Sequence, residues 1–408
     1  MSFKFASTFI EVNPSSTIPL SGLIKRAPDG EFCGISECKI RLAWLTFEDE
    51  KQLLFLLADY LFFPNQLAKL CSEFLLQTFD IPEEQIIYAG THTHSGPALG
   101  FLPWESEQPT YIQEVFEKLK KTFVSLSKQR RNCKLKKAIV QLNEININRR
   151  KPVAHWRRGF KKVAFMLPYN EGPVNPKMKL LSFEEKGGKK TLMVTYASHP
   201  VFNRNLKLSS DYPGFLAKKI IEKGWADEVL VFQGFNGDVR PNYQGRSALK
   251  DKIRAFFYGP DFAEYESQHI EDFVDVILGA ISNAKFTAVN QTTFNIQKRR
   301  KRLRSESSKT AQDLLLRKIE LGDQLQFVTA NAEMFVAYEK NLPDCIFPIG
   351  CTDNNIGYVP QASDLPLGGY EVSEAPLNNG MDGSIRAEDL KEVEILINDL
   401  WNVDPGRS

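Results

Sequence analysis

Two of the chain's five histidines stand two residues apart in Thr91-His92-Thr93-His94-Ser95-Gly96-Pro97, where an apolar run stops at glycine and proline. Successive side chains of a strand alternate faces, so His92 and His94 are expected on one side, roughly 6–7 Å apart. Two imidazoles so placed can serve or flank one metal ion. A single histidine is as well suited to a structural hydrogen bond. His199 closes a second apolar run, directly before Pro200, and offers a third imidazole. Beyond it Asp211 is read either as the cap of the next helix or as a partner that orients a ligand histidine. Glu333, in Ala330-Asn-Ala-Glu-Met334, offers a carboxylate. Two histidines and one glutamate are the set that suits an open, catalytic zinc site. The segment Val231-Phe-Gln-Gly-Phe-Asn-Gly-Asp-Val-Arg-Pro-Asn242 crowds Asn236, Asp238, Arg240 and Asn242 around two glycines, Gly234 and Gly237. Glycine there lets backbone approach another group closely. His155 and His269 read as bystanders, the latter on a solvated helix face.

These residues need elements to hold them, and strand-like and helix-like patterns alternate along the whole chain. Strands are expected over 38–47, up to Gly90 from Pro82, and over 137–142, 190–198, 228–233 and 324–330. Helices are expected over 65–78, 111–128, 212–223, 263–284, 310–321 and 387–401. Alternation of this kind predicts an α/β fold, with mixed β-sheets flanked by helices. The unusual residues cluster at the C-terminal ends of strands, where open α/β sheets build their sites.

With 408 residues, 42% of them hydrophobic, the chain can bury a large core, as one large α/β domain or as two. A formal net charge of +2 provides no global field for nucleic acid, so partners are sought at sites. The six cysteines are thinly spread and lack the paired spacing of a structural zinc site, which favours a reducing compartment. The N-terminus lacks the apolar core of a Sec-type signal, and nowhere do about eighteen apolar residues run without a charge. A cytoplasmic protein, or one exported without such a signal, is expected. Three basic clusters, at 128–137, 149–162 and 298–304, read as solvated strand edges. The sharper reading is peripheral contact with an anionic membrane.

The motifs THTHSGP at 91–97, Asn146-Ile-Asn-Arg149, Gly172-Pro-Val, Ser198-His-Pro200, Ser210-Asp211, Asn236-Gly-Asp-Val-x-Pro-Asn242, Ala332-Glu333, Gly357-Tyr358 and Tyr370-Glu371 together resemble the neutral (non-lysosomal) ceramidase family, in the family's order. The resemblance covers most of the chain and is nearest to the family's small bacterial branch. It implies a single catalytic domain over residues 1–408 without the C-terminal immunoglobulin-like domain of the secreted enzymes. It further implies a zinc-dependent hydrolase of the N-acyl (amide) bond of a lipid-like substrate. His92, His199, Glu333 and Tyr358 would hold the zinc, and His94, Arg149 and Tyr370 would line the reaction centre. Arg240 stands where the family has a serine, a proposed nucleophile. A guanidinium cannot take that role, so a zinc-bound water is expected as the nucleophile. Arg240, with Asn236 and Asp238, is then expected to bind substrate, Arg240 through a carboxylate or phosphate. The alternative is a catalytically silent lipid-binding or effector protein that keeps the metal.

Overall fold

A computed structural model describes residues 3–23, 37–155, 159, 161–245, 260–290 and 294–401. Its main sheet has nine strands. They are β1 (Phe3–Glu11), β2 (Lys39–Thr46), β3 (Gln52–Ala58), β4 (Ile86–Gly90), β5 (Arg131–Gln141), β8 (Lys177–Glu185), β9 (Lys190–Tyr196), β10 (Glu228–Gln233) and the short β14 (Thr287–Ala288). The order is β10-β9-β8-β5-β1-β2-β3-β4, with β14 paired to β5. Both ends of this order are parallel pairs, β3 with β4 and β9 with β10, and the pairs between them are antiparallel. A second sheet runs β15 (Asn295–Arg304), β16 (Ala311–Glu320), β17 (Gln326–Ala330), β19 (Ile346–Ile349). Smaller ladders join β6 (Asn146–His155) to β7 (Lys161–Tyr169) and β11 (Val239–Pro241), β12 (Gln244–Gly245) to β13 (Asp261–Phe262), and β18 (Glu333–Met334) to β20 (Tyr358–Val359).

Strand alternation sorts the core into layers. On β3, Leu54 and Leu56 face the helices α1 (Asn65–Phe79) and α2 (Pro109–Ser127), while Leu53, Phe55 and Leu57 face the second sheet. On β9 and β10, Leu192, Val194, Val229 and Val231 meet α3 (Asp211–Glu222) and α4 (Ser267–Ser282), and Met193, Leu230 and Phe232 turn to the second sheet. That sheet's other face, with Leu314, Leu316 and Val328, is covered by α5 (Ala387–Trp401) through Leu390, Val393 and Trp401. The architecture is therefore helix, sheet, sheet, helix, the α/β class expected from the alternating patterns.

One expected helix does not form. Residues 310–321 are not a helix but strand β16, hydrogen-bonded to β15 on one side and β17 on the other. Its Leu, Arg, Lys and Glu content favours helix intrinsically, but both of its faces are covered by core, and that burial overrides the propensity. The basic cluster at 298–304 lies on β15, the edge of its sheet, as the edge reading requires. The cluster at 128–137 does not: it enters β5, which is paired on both sides, and Lys136 is held there by Glu184. Part of the cluster at 149–162, and Cys33, lie outside the described residues, as does the side chain of His155.

The main sheet is curled. Seven steps of about 4.8 Å would set the edge strands β10 and β4 about 34 Å apart in a flat sheet. Instead Phe55 of β3 meets Phe232 of β10 edge to face, with ring centroids 5.8 Å apart. The segment after β19 then stitches the two edges at their C-terminal ends. Gly350 N–H donates to Gln233 O (2.9 Å), Asp353 N–H to Tyr88 O (2.7 Å) and Gly90 N–H to Cys351 O (3.3 Å).

Candidate metal centre

The curl places the ends of β4, β9 and β17 side by side, and each chain continuation delivers one ligand-type residue. After β4, His92 adopts a left-handed backbone (φ 63°) and its N–H is bound by Tyr60 O (3.0 Å). Such a conformation is unfavourable for a residue with a Cβ and persists where the surroundings dictate it. His199 follows β9, its N–H donating to Val239 O (3.2 Å). Glu333 follows β17 in β18, directly opposite Tyr358 of β20. Gly237 lets the His199 side close on Glu333: a Cβ there would lie 2.5 Å from Glu333 O.

The result is a triangle of near-equal sides. His92 Nε2 and His199 Nε2 are 3.2 Å apart, and each is 3.2 Å from Glu333 Oε2. The far nitrogens face backbone carbonyls, His92 Nδ1 at 3.2 Å from Leu61 O and His199 Nδ1 at 2.7 Å from Asn236 O. Each Nδ1–H thus donates outward, which turns each Nε2 inward toward Glu333, the orientation of a metal-ligating histidine. Glu333 Oε2 is buried and finds no well-aligned donor among the described residues. Tetrahedral ligands at roughly 2.0–2.1 Å from zinc lie about 3.3–3.4 Å from one another. The three atoms therefore fit a zinc ion with almost no rearrangement. Electrostatics point the same way: burial works to raise Glu333, yet His92 and His199 hold it well below the usual carboxylate range.

His94 lies beside this triangle, its ring 5.0 Å from that of His92, and the ligand atoms of His92, His94 and His199 all fall within 4.8 Å. The two neighbouring histidines do face one site, but through the turn that follows β4 and not through strand alternation. Burial, with His92 and His199 close by, holds His94 well below the ordinary histidine range, so its imidazole is neutral. Arg149 is buried and anchored: Nε donates to Glu371 Oε1 (2.8 Å), and Nη2 to Gly237 O (2.9 Å) and to Tyr358 OH (3.0 Å). Tyr358 is buried, which raises its hydroxyl pKa well above the usual value, and its ring lies 6.0 Å from that of Tyr370. His94, Arg149, Tyr358 and Tyr370 all line a cavity of about 910 Å³. Met166, Val201 and Phe262 supply apolar wall, and Arg240 stands in the same lining.

Asn236 and Asp238, expected to bind substrate, do not line this cavity. Asn236 carries the carbonyl that holds His199, and Asp238 is buried, accepting from Val336 N–H and Asn148 Nδ2 (both 2.7 Å). They build the frame. Asp211 is the first residue of α3 and accepts from Asn203 N–H and Tyr212 N–H; Ser210 holds the cap position without a side-chain cap bond, so neither the capping reading nor the histidine-orienting one is met. His269 accepts from Glu266 N–H in the capping box of α4. Two residues escaped the sequence reading. Glu371 joins Arg149 to Arg150, and its place beside Tyr370 was the only clue. The Cys351 thiol is in hydrogen-bonding contact with His92, for which nothing in the sequence gave a signal.

No protein-family model and no curated protein matches the chain. Its fold does match solved structures. One is neutral ceramidase from Pseudomonas aeruginosa, with a TM-score of 0.70 at 13% identity over 98% of this chain and 74% of that one. A ceramidase complexed with C2 matches with the same score and coverage at 12% identity. The chain has a ceramidase-like fold.

Proposed function

We propose that the protein is a zinc-dependent hydrolase of an amide (N-acyl) bond in a lipid-like substrate, as a single catalytic domain. The observation that carries this reading is the 3.2 Å triangle of two imidazole nitrogens and one carboxylate oxygen beside the 910 Å³ cavity. The ceramidase-like fold supports it. His92, His199 and Glu333 would hold the ion, with Tyr358 OH as a further neighbour. Bound zinc supplies a Lewis acid and brings the pKa of a water to about 7.

The side chains around the cavity do the rest. The apolar wall takes the acyl chain and excludes water. His94, neutral and at the cavity lining, accepts a proton from the attacking water and returns it to the leaving amine. Arg149 stays charged, because although burial opposes its charge, Tyr358 and Glu371 stabilise it. With Tyr370 it donates to the oxygen on which negative charge builds, and Glu371 keeps it aimed.

The test is metal analysis of the purified protein combined with fatty-acid release from a panel of N-acyl lipids and N-acyl amino acids. One zinc per chain and chelator-sensitive release are expected. Release that persists after complete metal removal sinks the reading. Bound zinc with no release from any substrate selects the silent lipid-binding alternative.

A further inference from the structure

Arg240 sits in the cavity wall as a cation that forms no ion pair with any of the described residues. It is 8% exposed. Its guanidinium lies over the Phe262 ring at 4.1 Å and the Tyr265 ring at 5.1 Å. Nε and Nη2 both donate to Tyr265 OH, at 3.0 and 2.6 Å. Among the described residues no carboxylate pairs with it. Asp238 and Asp211, the carboxylates nearest in sequence and loop, are occupied by backbone and amide donors. Of the acidic residues that share the cavity lining, Glu266 caps α4, Glu264 is exposed, and Asp261 already has a partner.

A guanidinium buried without a counter-charge is unfavourable unless something compensates it. Two aromatic faces do so in part. They also fix the fork, leaving Nη1 and one Nη2 hydrogen without an acceptor among the described residues. The open edge belongs to the same cavity as His94, Arg149 and Tyr358. Arg204, exposed at that cavity, adds a second positive charge. The backbone ties the two regions rigidly, since Val239, next to Arg240, binds the His199 amide through its carbonyl. A planar fork of this kind matches a carboxylate or a phosphate with two parallel bonds.

From this juxtaposition we infer that the substrate carries an oxyanion, a carboxylate or a phosphate, and that Arg240 reads it. The substrate class is then an acidic N-acyl compound, and a neutral ceramide is the poorer fit. This deepens the amide-hydrolase reading and rests on it, but the two fail separately.

The experiment compares three substrates of one acyl length: N-dodecanoylglycine, N-dodecanoyl-phosphoethanolamine and neutral N-dodecanoylethanolamine. Wild type, Arg240→Ala, Arg240→Lys and Tyr265→Phe are each assayed for kcat and KM. Wild type is expected to favour at least one acidic substrate over the neutral one by at least about tenfold in kcat/KM. The preferred anion distinguishes carboxylate from phosphate. That ratio collapses at least about tenfold in Arg240→Ala, chiefly through KM, and is partly kept in Arg240→Lys, which retains charge without the fork. Tyr265→Phe, which folds around the same ring, lowers the ratio by a smaller factor. A wild-type preference for the neutral substrate overturns the inference, as does an equal loss on all three in both Arg240 variants. Should none be hydrolysed, the hydrolase reading falls. Calorimetric binding of N-dodecanoylglycine and N-dodecanoylethanolamine then decides the role of Arg240, and equal affinities refute it.

Discussion

Glu371 is the residue on which the site's electrostatics turn, and removing it is a demanding test of the structure. It is 2% exposed, and its two oxygens serve two buried guanidiniums: Oε1 accepts from Arg149 Nε at 2.8 Å and Oε2 from Arg150 Nη1 at 2.7 Å. Glu371→Ala deletes both bonds and strands two buried charges. Hydrogen bonds to charged groups contribute about 1.5–3 kcal/mol each, so two amount to about 3–6 kcal/mol. Breaking a buried ion pair by removing one partner costs about 3–5 kcal/mol. Asp364, 3.9 Å from Arg150 Nε, and the Gly368 carbonyl, 2.8 Å from Arg150 Nη2, remain and place the loss toward the lower part of that range. The expected loss is therefore about 3–4 kcal/mol, a large share of the about 5–15 kcal/mol of a typical native protein. Glu371→Gln can accept from only one guanidinium and should lose on the order of 2 kcal/mol. The measurement is urea unfolding of all three proteins, compared at equal m-values. The metal should stay bound while turnover falls, because Arg149 loses the group that aims it. A loss below about 1 kcal/mol in Glu371→Ala at unchanged m refutes the argument.

Three further outcomes follow from the same geometry. His199→Ala and Glu333→Gln should abolish zinc binding, whereas His94→Ala should keep the ion and slow turnover by about 10²–10⁴-fold; equal zinc loss in His94→Ala by metal analysis would reassign it as a ligand. Burial pushes Glu339 up to about 7 despite bonds from Phe235 N–H and Asn175 Nδ2, so the folded protein holds a proton that the unfolded chain has released. Stability from this group is full below about pH 4.5 and falls as pH rises toward 7, by on the order of 3 kcal/mol. Thermal unfolding between pH 4.5 and 7.5 should therefore show a smaller decline in Glu339→Gln than in wild type, and parallel curves would contradict it. Phe55→Ala, which empties the space between Phe232 (5.8 Å) and Phe327 (5.2 Å), should cost about 3–5 kcal/mol in urea unfolding. A cost under about 1 kcal/mol would mean that the two sheets do not pack through this ring.

What the sequence determined by itself was local. The period of the apolar residues located α1, α2, α3 and α5 to within a few residues, because each of these helices buries one stripe against a sheet. It also marked the ends of β4, β9 and β17 as the places where ligand-type residues emerge, since a polar residue at the end of a buried strand is conspicuous. Residues 310–321 misled because helix-forming side chains carried the segment, and only its neighbours β15 and β17 make it a strand. The partners of Arg240 were equally out of reach. A substrate-binding role could be argued from the loop, but not that Phe262 and Tyr265, more than twenty residues away, would clamp it.

Convergence was decided by tertiary structure alone. His92 and His199 follow strands separated by most of a nine-stranded sheet, and they meet at 3.2 Å only because the sheet curls around the second sheet. Glu333 follows directly on β17 of that second sheet, and Gly350–Asp353 tie the two edges together. Sequence spacing records distance along the chain; the curl, driven by burying Phe55, Phe232 and Phe327 in one core, sets distance in space.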